Sequence, residues 1–197
     1  MVNLENIIKE GIKRELQRVR KEVNINPSEK QKIAGNYKMG HININGFEIT
    51  IENPKGSYRR GTDKDGKKWS IKMNNDYGYF VKTEGYDGDA IDCFIGPNID
   101  STKIYVVDQF ISGSFDESKV MLGFDTLKDA KKAYFSNYNK DWKGFKNITG
   151  VSKKIFKEWL YDGYKQKKPF YQYKEIKETK LIENIIKESV REILKQY

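Results

Sequence analysis

Residues 76–97 read DYGYFVKTEGYDGDAIDCFIGP and hold three aspartates within six positions, Asp87, Asp89 and Asp92. Glycines on both sides of the first aspartate indicate a tight turn. Three carboxylates that converge repel one another unless a cation neutralises them. Hard oxygen ligands select Mg²⁺, Mn²⁺ or Ca²⁺. An ordinary acidic surface turn has the same composition, so the spacing alone leaves both interpretations open.

The second half of this stretch alternates as a β-strand does. Apolar side chains occupy positions 91, 93 and 95, and Asp92 and Phe94 fall on the opposite face. Cys93 is the only cysteine of the chain, so an intramolecular disulfide is excluded and a reducing compartment is expected. Its place on the apolar side of the strand predicts a buried thiol rather than a nucleophile.

This segment resembles the signature region of family I soluble inorganic pyrophosphatases. That signature is an Asp-x-Asp-x-x-Asp core preceded by a Tyr-Gly-aromatic element, which here is Tyr77-Gly78-Tyr79. A closer resemblance is to the pyrophosphatase-like domain of the large polyvalent proteins of phages and conjugative elements. It covers about residues 44–160 and rests on further segments in family order: IENPKG at 51–56, YVVDQ at 105–109, FDE at 115–117, KVMLGF at 119–124 and WKG at 142–144.

The resemblance implies hydrolysis of inorganic pyrophosphate, or of a related diphosphate, with Mg²⁺ as cofactor and Mn²⁺ as the alternative. It implies that Asp89 is the general base for the attacking water. The implied metal-site carboxylates are Asp87, Asp92, Asp116, Glu117 and Glu52. The implied phosphate-binding residues are Arg59, Arg60, Lys72, Tyr77, Lys119, Tyr138, Lys140 and Lys143. Asp116 and Glu117 are alternatives for one ligand. Lys140 and Lys143 are alternatives because the family's Tyr-Lys pair is interrupted after Tyr138.

Composition restricts the class of protein. The net charge of +9 is spread along the 197 residues, which argues against a dedicated nucleic-acid site but favours phosphate-rich ligands. No apolar run approaches the roughly 20 residues of a membrane span, and no secretory signal is apparent. We therefore expect a protein of the host-cell cytoplasm, with association with a virion as the alternative that the resemblance adds.

The pattern along the chain favours an α+β fold, with antiparallel strands followed by helices. The resemblance implies a small five-stranded, OB-like β-barrel with outer helices. The expected domains are an N-terminal helix and linker at 1–40, the pyrophosphatase-like barrel at 41–162 and a C-terminal extension at 163–197. The predicted elements are a helix at 3–22, a linker at 24–40, strands within 42–51, a hairpin with its turn at 63–66, strands at 103–109 and 119–122, helices at 126–138 and 152–161, an extended aromatic run at 170–173 and a helix at 181–196.

The hexapeptide ENIIKE occurs twice, at 5–10 and at 183–188, in the two amphipathic terminal helices. Either both helices pack on the barrel or on each other, or they dock a partner, such as a second copy or a phage structural component. Docking supports an alternative function, that of a non-catalytic structural or virion-associated protein. The lysine that should follow Tyr138 is displaced, which favours this alternative, whereas the intact acidic core and Tyr77 favour an enzyme.

Overall fold

The computed structural model describes residues 4–62, 66–161 and 168–195. Within these ranges five helices and nine strands alternate along the chain. Their order is α1 (Leu4–Glu22), α2 (Glu29–Ala34), β1 (Gly40–Ile44), β2 (Phe47–Asn53), β3 (Tyr58–Thr62), β4 (Lys68–Lys72), β5 (Asp76–Phe80), β6 (Asp92–Ile95), β7 (Ile104–Ile111), β8 (Ser114–Leu122), α3 (Leu127–Ser136), β9 (Phe145–Val151), α4 (Lys153–Leu160) and α5 (Phe170–Leu194). In this part of the chain no helix combines the length and apolarity needed to cross a membrane.

A seven-stranded sheet in the order β1-β2-β5-β6-β8-β7-β9 forms the centre of the protein, and β3 pairs with β4 in a separate two-stranded sheet. All neighbours in the large sheet are antiparallel except β6 and β8. The α+β class and the terminal helices are therefore confirmed. The five-stranded barrel is wrong, because β9 pairs with β7 and extends the sheet away from β1, leaving it open. The sequence did not predict β9, since Asn147 and Gly150 have weak strand propensity.

Strict alternation along the strands sorts the core side chains onto two faces of the sheet. Ile91, Cys93 and Ile95 pack in one cluster, as the pattern predicted, and Phe94 packs in the other. We call the first the aliphatic face; its strands contribute Ile42, Ile44, Phe47, Ile49, Ile51, Phe80, Cys93, Ile95, Ile104, Val106, Val120 and Leu122. We call the second the aromatic face; its buried members are Met73, Tyr77, Phe94, Tyr105, Val107, Met121, Phe124, Ala130 and Tyr134.

Three helices contribute to the core of the aliphatic face. The second half of α1 buries Leu16 and Val19 in this core, and Val23, directly after the helix, is buried there too, so α1 is part of the folded unit. Helix α4 begins at the cap Ser152, as predicted, and α5 enters the core only through its first turn. Beyond Tyr173 the apolar side chains of α5 are exposed: Ile176, Leu181, Ile182, Ile185, Ile186, Val190, Ile193 and Leu194.

Two further predictions need correction. The linker at 24–40 contains α2, which starts at a capping box between Ser28 and Gln31. The extended aromatic run at 170–173 is wrong, because these residues form the first turn of α5. The carboxylate of Asp108, in β7, accepts the backbone N–H groups of Phe170 at 2.7 Å and Tyr171 at 3.2 Å, so the cap of α5 lies far away in sequence.

The predicted hairpin of β3 and β4 is confirmed by their antiparallel pairing. Its turn at 63–66 lies outside the described residues except for Gly66, as does the expected domain boundary at 162–163. The first position of the predicted helix 3–22 and the last position of the predicted helix 181–196 also fall outside them.

Candidate active site

A cavity of about 560 Å³ is lined by side chains that project from the aromatic face. It collects residues from β2, β3, β5, the β5–β6 loop, β6 and β8, because alternate residues of neighbouring strands point to the same side of a sheet. Eight of the predicted site residues line it: Glu52, Arg59, Tyr77, Asp87, Asp89, Asp92, Glu117 and Lys119.

The predicted acidic turn lies between β5 and β6 at the edge of this cavity. The backbone N–H of Asp89 donates to the Asp87 carboxylate at 3.1 Å, and Gly88 has a φ of +89° that an L side chain rarely adopts. Both aspartate side chains are exposed, whereas Asp92 is half-buried at the first position of β6. The turn therefore presents two carboxylates to solvent and directs the third into the cavity wall.

Lys119 lies at the centre of the charged side chains that line this cavity, which we call the charged wall. Its side chain is 3% exposed, and Nζ lies 2.5 Å from the Asp92 carboxylate and 2.6 Å from that of Glu117. The hydroxyl of Tyr77 donates to the same Asp92 oxygen. Burial lowers the pKa of Lys119, but Asp92, Tyr77 and Glu117 outweigh it and leave that pKa above its ordinary value. Lys119 is therefore a fixed cation at neutral pH.

Arg59 is held by aromatic rings. Its guanidinium carbon lies 4.3 Å from the ring centroid of Tyr77 and 5.5 Å from that of Trp69. A guanidinium over an aromatic face is attracted by the ring quadrupole and keeps its N–H edges free for oxygen ligands. The geometry therefore orients Arg59 toward the cavity that it lines.

Tyr138 lies behind this wall. Its ring stacks on Trp142 at 4.8 Å, and its hydroxyl accepts the side-chain amide of Gln109 at 2.8 Å. Burial raises the pKa of Tyr138, while the charges of Lys119 and Arg59 lower it, so both cations act on this hydroxyl. Tyr138 adjoins the charged wall, although it is not part of the cavity lining.

The remaining predicted residues lie around the cavity rather than in its wall. Arg60 lines a neighbouring cavity, and Lys72 is an exposed residue of β4 paired with Tyr58. Asp116 is half-buried next to Glu117, and burial raises its pKa, with a smaller contribution from the charge of Asp87. Lys140 and Lys143 are exposed in the loop between α3 and β9.

Sequence reasoning missed two residues that the N-terminal segment supplies. Lys32 of α2 lines the cavity and pairs with Glu29 at 2.7 Å. The hydroxyl of Tyr37 donates to the Glu52 carboxylate at 3.1 Å. No local pattern indicates either role, because both residues precede the first strand. Tyr79, also in the cavity wall, belongs to the quoted Tyr-Gly-aromatic element and could have been found from it.

The cavity carries an excess of negative charge. Five carboxylates face three cations, Lys32, Arg59 and Lys119. Burial, and secondly the charge of Asp92, raises the pKa of Glu52. Burial raises that of Glu117 as well, against the influence of Lys119. An anionic diphosphate would be repelled here unless further cations were bound.

The donor set of the cavity suits hard divalent cations, because carboxylate oxygens are the ligands that Mg²⁺ and Mn²⁺ prefer. In the described residues, no group of three or more His, Cys, Asp or Glu side chains converges closely enough to hold an ion. Lys119 instead bridges two of the carboxylates. The types of residue in the lining suit the metal that the resemblance implies, because bound cations would offset the excess of carboxylates, but the described side chains do not converge as a metal site.

Comparison with known proteins identifies one family model that matches most of the chain. A family model described as inorganic pyrophosphatase matches residues 29–161. Among solved structures, an inorganic pyrophosphatase from Coxiella burnetii is similar at 19% sequence identity, with a TM-score of 0.30; the match covers 53% of this chain and 82% of that one. No curated protein matches the sequence.

Proposed function

The chain belongs to the inorganic pyrophosphatase family, and we propose that it hydrolyses inorganic pyrophosphate, or a related diphosphate, to phosphate with the help of Mg²⁺. One observation carries the proposal: a single cavity is lined by exposed carboxylates, which can accept a proton, and by fixed cations, which can bind phosphate oxygens. These are the two kinds of group that hydrolysis of a phosphoanhydride requires.

In this proposal the divalent ions would be held by Asp87, Asp92 and Glu117, with Asp116 as the alternative to Glu117 and with Glu52 supporting the site. When bound, such ions neutralise the excess of carboxylates and lower the pKa of coordinated water.

The side chains of the cavity then have separate tasks. Asp89, exposed at the turn, takes the proton of the attacking water, whose oxygen bonds to one phosphorus while the bond from that phosphorus to the bridging oxygen breaks. Lys119 and Arg59 stabilise the negative charge on the phosphate oxygens. Tyr77 holds Arg59 by its ring and Asp92 by its hydroxyl.

Phosphate contacts for the other predicted residues remain proposals. Tyr138 adjoins Lys119 and Arg59, which supports it. The four cationic side chains outside the cavity wall would have to reach the substrate from the surrounding surface: Arg60, Lys72, Lys140 and Lys143.

Phosphate release from pyrophosphate, with and without Mg²⁺, tests the proposal directly. We expect release that requires Mg²⁺ or Mn²⁺ and stops with a chelator. In parallel, Mg²⁺ should raise the melting temperature, since a ligand at a hundredfold excess over its Kd adds about 2.7 kcal/mol to the free energy of unfolding. Absence of both turnover and metal-induced stabilisation would reject the proposal.

A second candidate function is favoured by the exposed apolar stripe of α5, which suits a structural protein that assembles with a second copy of itself. Glu183 and Lys187 flank the exposed pair Ile185 and Ile186, so an antiparallel copy of the helix would place each glutamate opposite a lysine. Sedimentation of the full chain and of Ile186→Glu tests this: a dimer that the variant dissociates supports assembly, and a monomeric full chain excludes it.

The biological setting is proposed from the resemblance alone. We propose a phage or mobile-element protein that works in the host-cell cytoplasm or travels with the virion. We also retain the proposed division into 1–40, 41–162 and 163–197, although α1 shares the core of the central sheet.

A further inference from the structure

A second cavity, of about 450 Å³, adjoins the one described above. Three residues line both cavities: Lys32, Glu52 and Arg59. The two cavities therefore adjoin at a boundary that carries two cations and the Glu52 carboxylate, and the proposed reaction site has further space next to it. Each volume falls within the range of about 300–1,000 Å³ that is usual for small-molecule sites. A diphosphate with its metal ions would occupy the first cavity and leave the second to another part of a ligand.

The second cavity is built by the segment around α2, which faces the β3 strand. The Arg60 guanidinium donates to the side-chain oxygen of Asn26 at 3.2 Å, and Tyr37 donates to Glu52 at 3.1 Å, so hydrogen bonds connect the two walls. The backbone N–H of Asn24 donates to the Lys38 carbonyl at 2.8 Å and closes the segment into a loop. The cavity thus has defined walls on both sides.

The lining outside the shared residues combines aromatic, aliphatic and amide groups with the charged side chains of Glu29 and Arg60. Tyr58 is 46% exposed, and the guanidinium carbon of Arg60 lies 5.2 Å from its ring centroid. Ile25 supplies aliphatic surface, and Asn26 and Asn53 supply amides that can both donate and accept hydrogen bonds. A flat ring with hydrogen-bonding edges meets all three kinds of group.

A longer inorganic phosphate chain fits this lining less well. Of the described residues that line only the second cavity, Arg60 is the cation, and its guanidinium already contacts Asn26 and the Tyr58 ring. A chain of phosphates would need several cations along its length. The cations instead lie at the junction, where they suit the phosphates of a ligand whose other end is uncharged.

We infer that the second cavity binds the base and sugar of a nucleoside diphosphate or triphosphate, so that the substrate class of the site is the nucleotide phosphoanhydrides. This inference rests on the proposed function, because the reaction is the same: water attacks the terminal phosphorus, and its proton passes to Asp89. The bond from that phosphorus to the bridging oxygen breaks, and the nucleoside phosphate leaves with that oxygen. The base stacks on Tyr58, and the phosphates extend past Lys32 and Arg59.

The test compares phosphate release from four nucleoside diphosphates (adenosine, guanosine, cytidine and uridine), from pyrophosphate and from inorganic tripolyphosphate. Stacking of one base on an aromatic side chain contributes about 1–3 kcal/mol. We therefore expect Tyr58→Ala to lower kcat/KM for the preferred nucleotide, relative to that for pyrophosphate, by roughly 5- to 150-fold. Tyr58→Phe keeps the ring and should keep the ratio.

Tyr161→Ala is the matched control, because Tyr161 is also 46% exposed and lines neither cavity. It should leave the ratio unchanged. Calorimetry with methylene-bridged nucleoside diphosphates, which the reaction cannot cleave, measures binding in the unaltered protein and does not depend on any variant folding.

The outcomes separate this inference from the proposed function. Pyrophosphate hydrolysis without nucleotide turnover or analogue binding would overturn the inference and leave the proposed function standing. The inference would also be overturned if tripolyphosphate were cleaved faster than the nucleotides and at a rate that Tyr58→Ala does not change. Analogue binding that Tyr58→Ala weakens, in a protein that hydrolyses neither substrate, would support the nucleotide site and reject the proposed function.

Discussion

The two faces of the central sheet are made by the same strands but differ in what their polar groups contact. On β8, Val120 and Leu122 pack on the aliphatic face, while Met121 packs on the aromatic face. Asp108 on the aliphatic side is buried against the Ser118 hydroxyl at 2.6 Å and the first turn of α5. Lys119 on the aromatic side is buried against carboxylates that line the cavity.

This difference gives the two faces different roles: the aliphatic face contributes to stability, and the aromatic face carries the candidate active site. The buried Asp108 carboxylate of the aliphatic face is satisfied by the fold itself, because the Ser118 hydroxyl and two backbone N–H groups of α5 donate to it. On the aromatic face burial, and to a smaller extent the charge of Asp92, raises the pKa of Glu52 and Glu117, and both carboxylates border open space. We therefore expect changes on the aliphatic face to alter the free energy of unfolding and changes on the aromatic face to alter turnover.

The largest expected effect is on the aromatic face, at Asp89. Asp89→Asn should slow turnover by about 10²–10⁴-fold, the usual contribution of a positioned general base, because the amide cannot accept the proton. Its free energy of unfolding should change little, since the side chain is exposed. Phosphate release at saturating Mg²⁺ and urea unfolding measure the two effects.

Asp92→Asn is the control for that experiment. It removes a proposed metal ligand rather than the base, so it should weaken Mn²⁺ affinity in calorimetry, whereas Asp89→Asn should keep most of that affinity. Equal activity of Asp89→Asn and the unaltered protein would remove Asp89 from the mechanism.

The next largest effect is a loss of stability on the aliphatic face. The repeated hexapeptide of the terminal helices supplies a matched pair of leucines for this test. Leu16 and Leu194 occupy the same position after the two ENIIKE segments, but Leu16 is 4% exposed and Leu194 is 68% exposed. Leu16→Ala should lower the free energy of unfolding by about 3 kcal/mol, within the range for buried leucines. Leu194→Ala should change it by less than about 0.5 kcal/mol. Similar losses in the two variants would show that α5 is also packed in solution.

The sequence predicted those parts of the fold that local pattern determines. Alternation assigned Ile91, Cys93 and Ile95 to one face, and the caps Thr126 and Ser152 marked two helix starts. The prediction from sequence failed where a residue far away in the chain determines the local structure. The start of α5 at Phe170 depends on Asp108, and β9 depends on pairing with β7. Closure of a sheet is likewise a property of all its strands and has no local signal.

For the site, the resemblance implied eight residues that the structure places in the lining of one cavity. The pattern could not indicate Lys32 or Tyr37, because these reach the cavity only through the fold of a segment that carries no signature. The prediction of Lys140 and Lys143 rests on their order along the chain, which does not determine distance in space.

A smaller effect is expected for the ion pair that joins α1 to the sheet. Arg20 donates two hydrogen bonds to Asp76, at 2.8 and 2.6 Å, and the Asp76 side chain is 1% exposed. Arg20→Met leaves a buried carboxylate without its cation and should cost about 2 kcal/mol, below the usual range for buried pairs because Arg20 is partly exposed.

Arg18→Met is the matched control, on the same helix. Arg18 pairs with Glu15 and Glu22 at the surface, where such pairs contribute about 0–1 kcal/mol. Urea unfolding of the two variants compares them. An Arg20→Met loss no greater than that of Arg18→Met would mean that α1 is not anchored through Asp76, and turnover per folded molecule should stay unchanged in both.

The smallest effect is a pH dependence that differs between the faces. Burial raises the pKa of Glu52 and Glu117 on the aromatic face, of Asp116 next to Glu117, and of Asp108 on the aliphatic face. The folded protein then binds more protons than the unfolded chain, so the free energy of unfolding is highest below the unfolded pKa values and falls as pH rises through the raised ones. The lowered pKa values of Glu10, Glu15 and Asp100 act below about pH 4.5 and do not affect this window.

Mg²⁺ should separate the two contributions, because a bound cation favours the ionised carboxylates of the cavity and has no access to Asp108. In a chelator we expect the protein to be more stable to urea at pH 5 than at pH 7.5. With Mg²⁺ the difference should shrink to the part that Asp108 contributes, and Glu117→Gln should shrink it without metal. Because Mg²⁺ binds less well at pH 5, where the ligands compete with protons, saturation must be verified at both pH values. An undiminished difference under saturating Mg²⁺ would place the titrating groups outside the cavity and remove the charge argument for a metal site on the aromatic face.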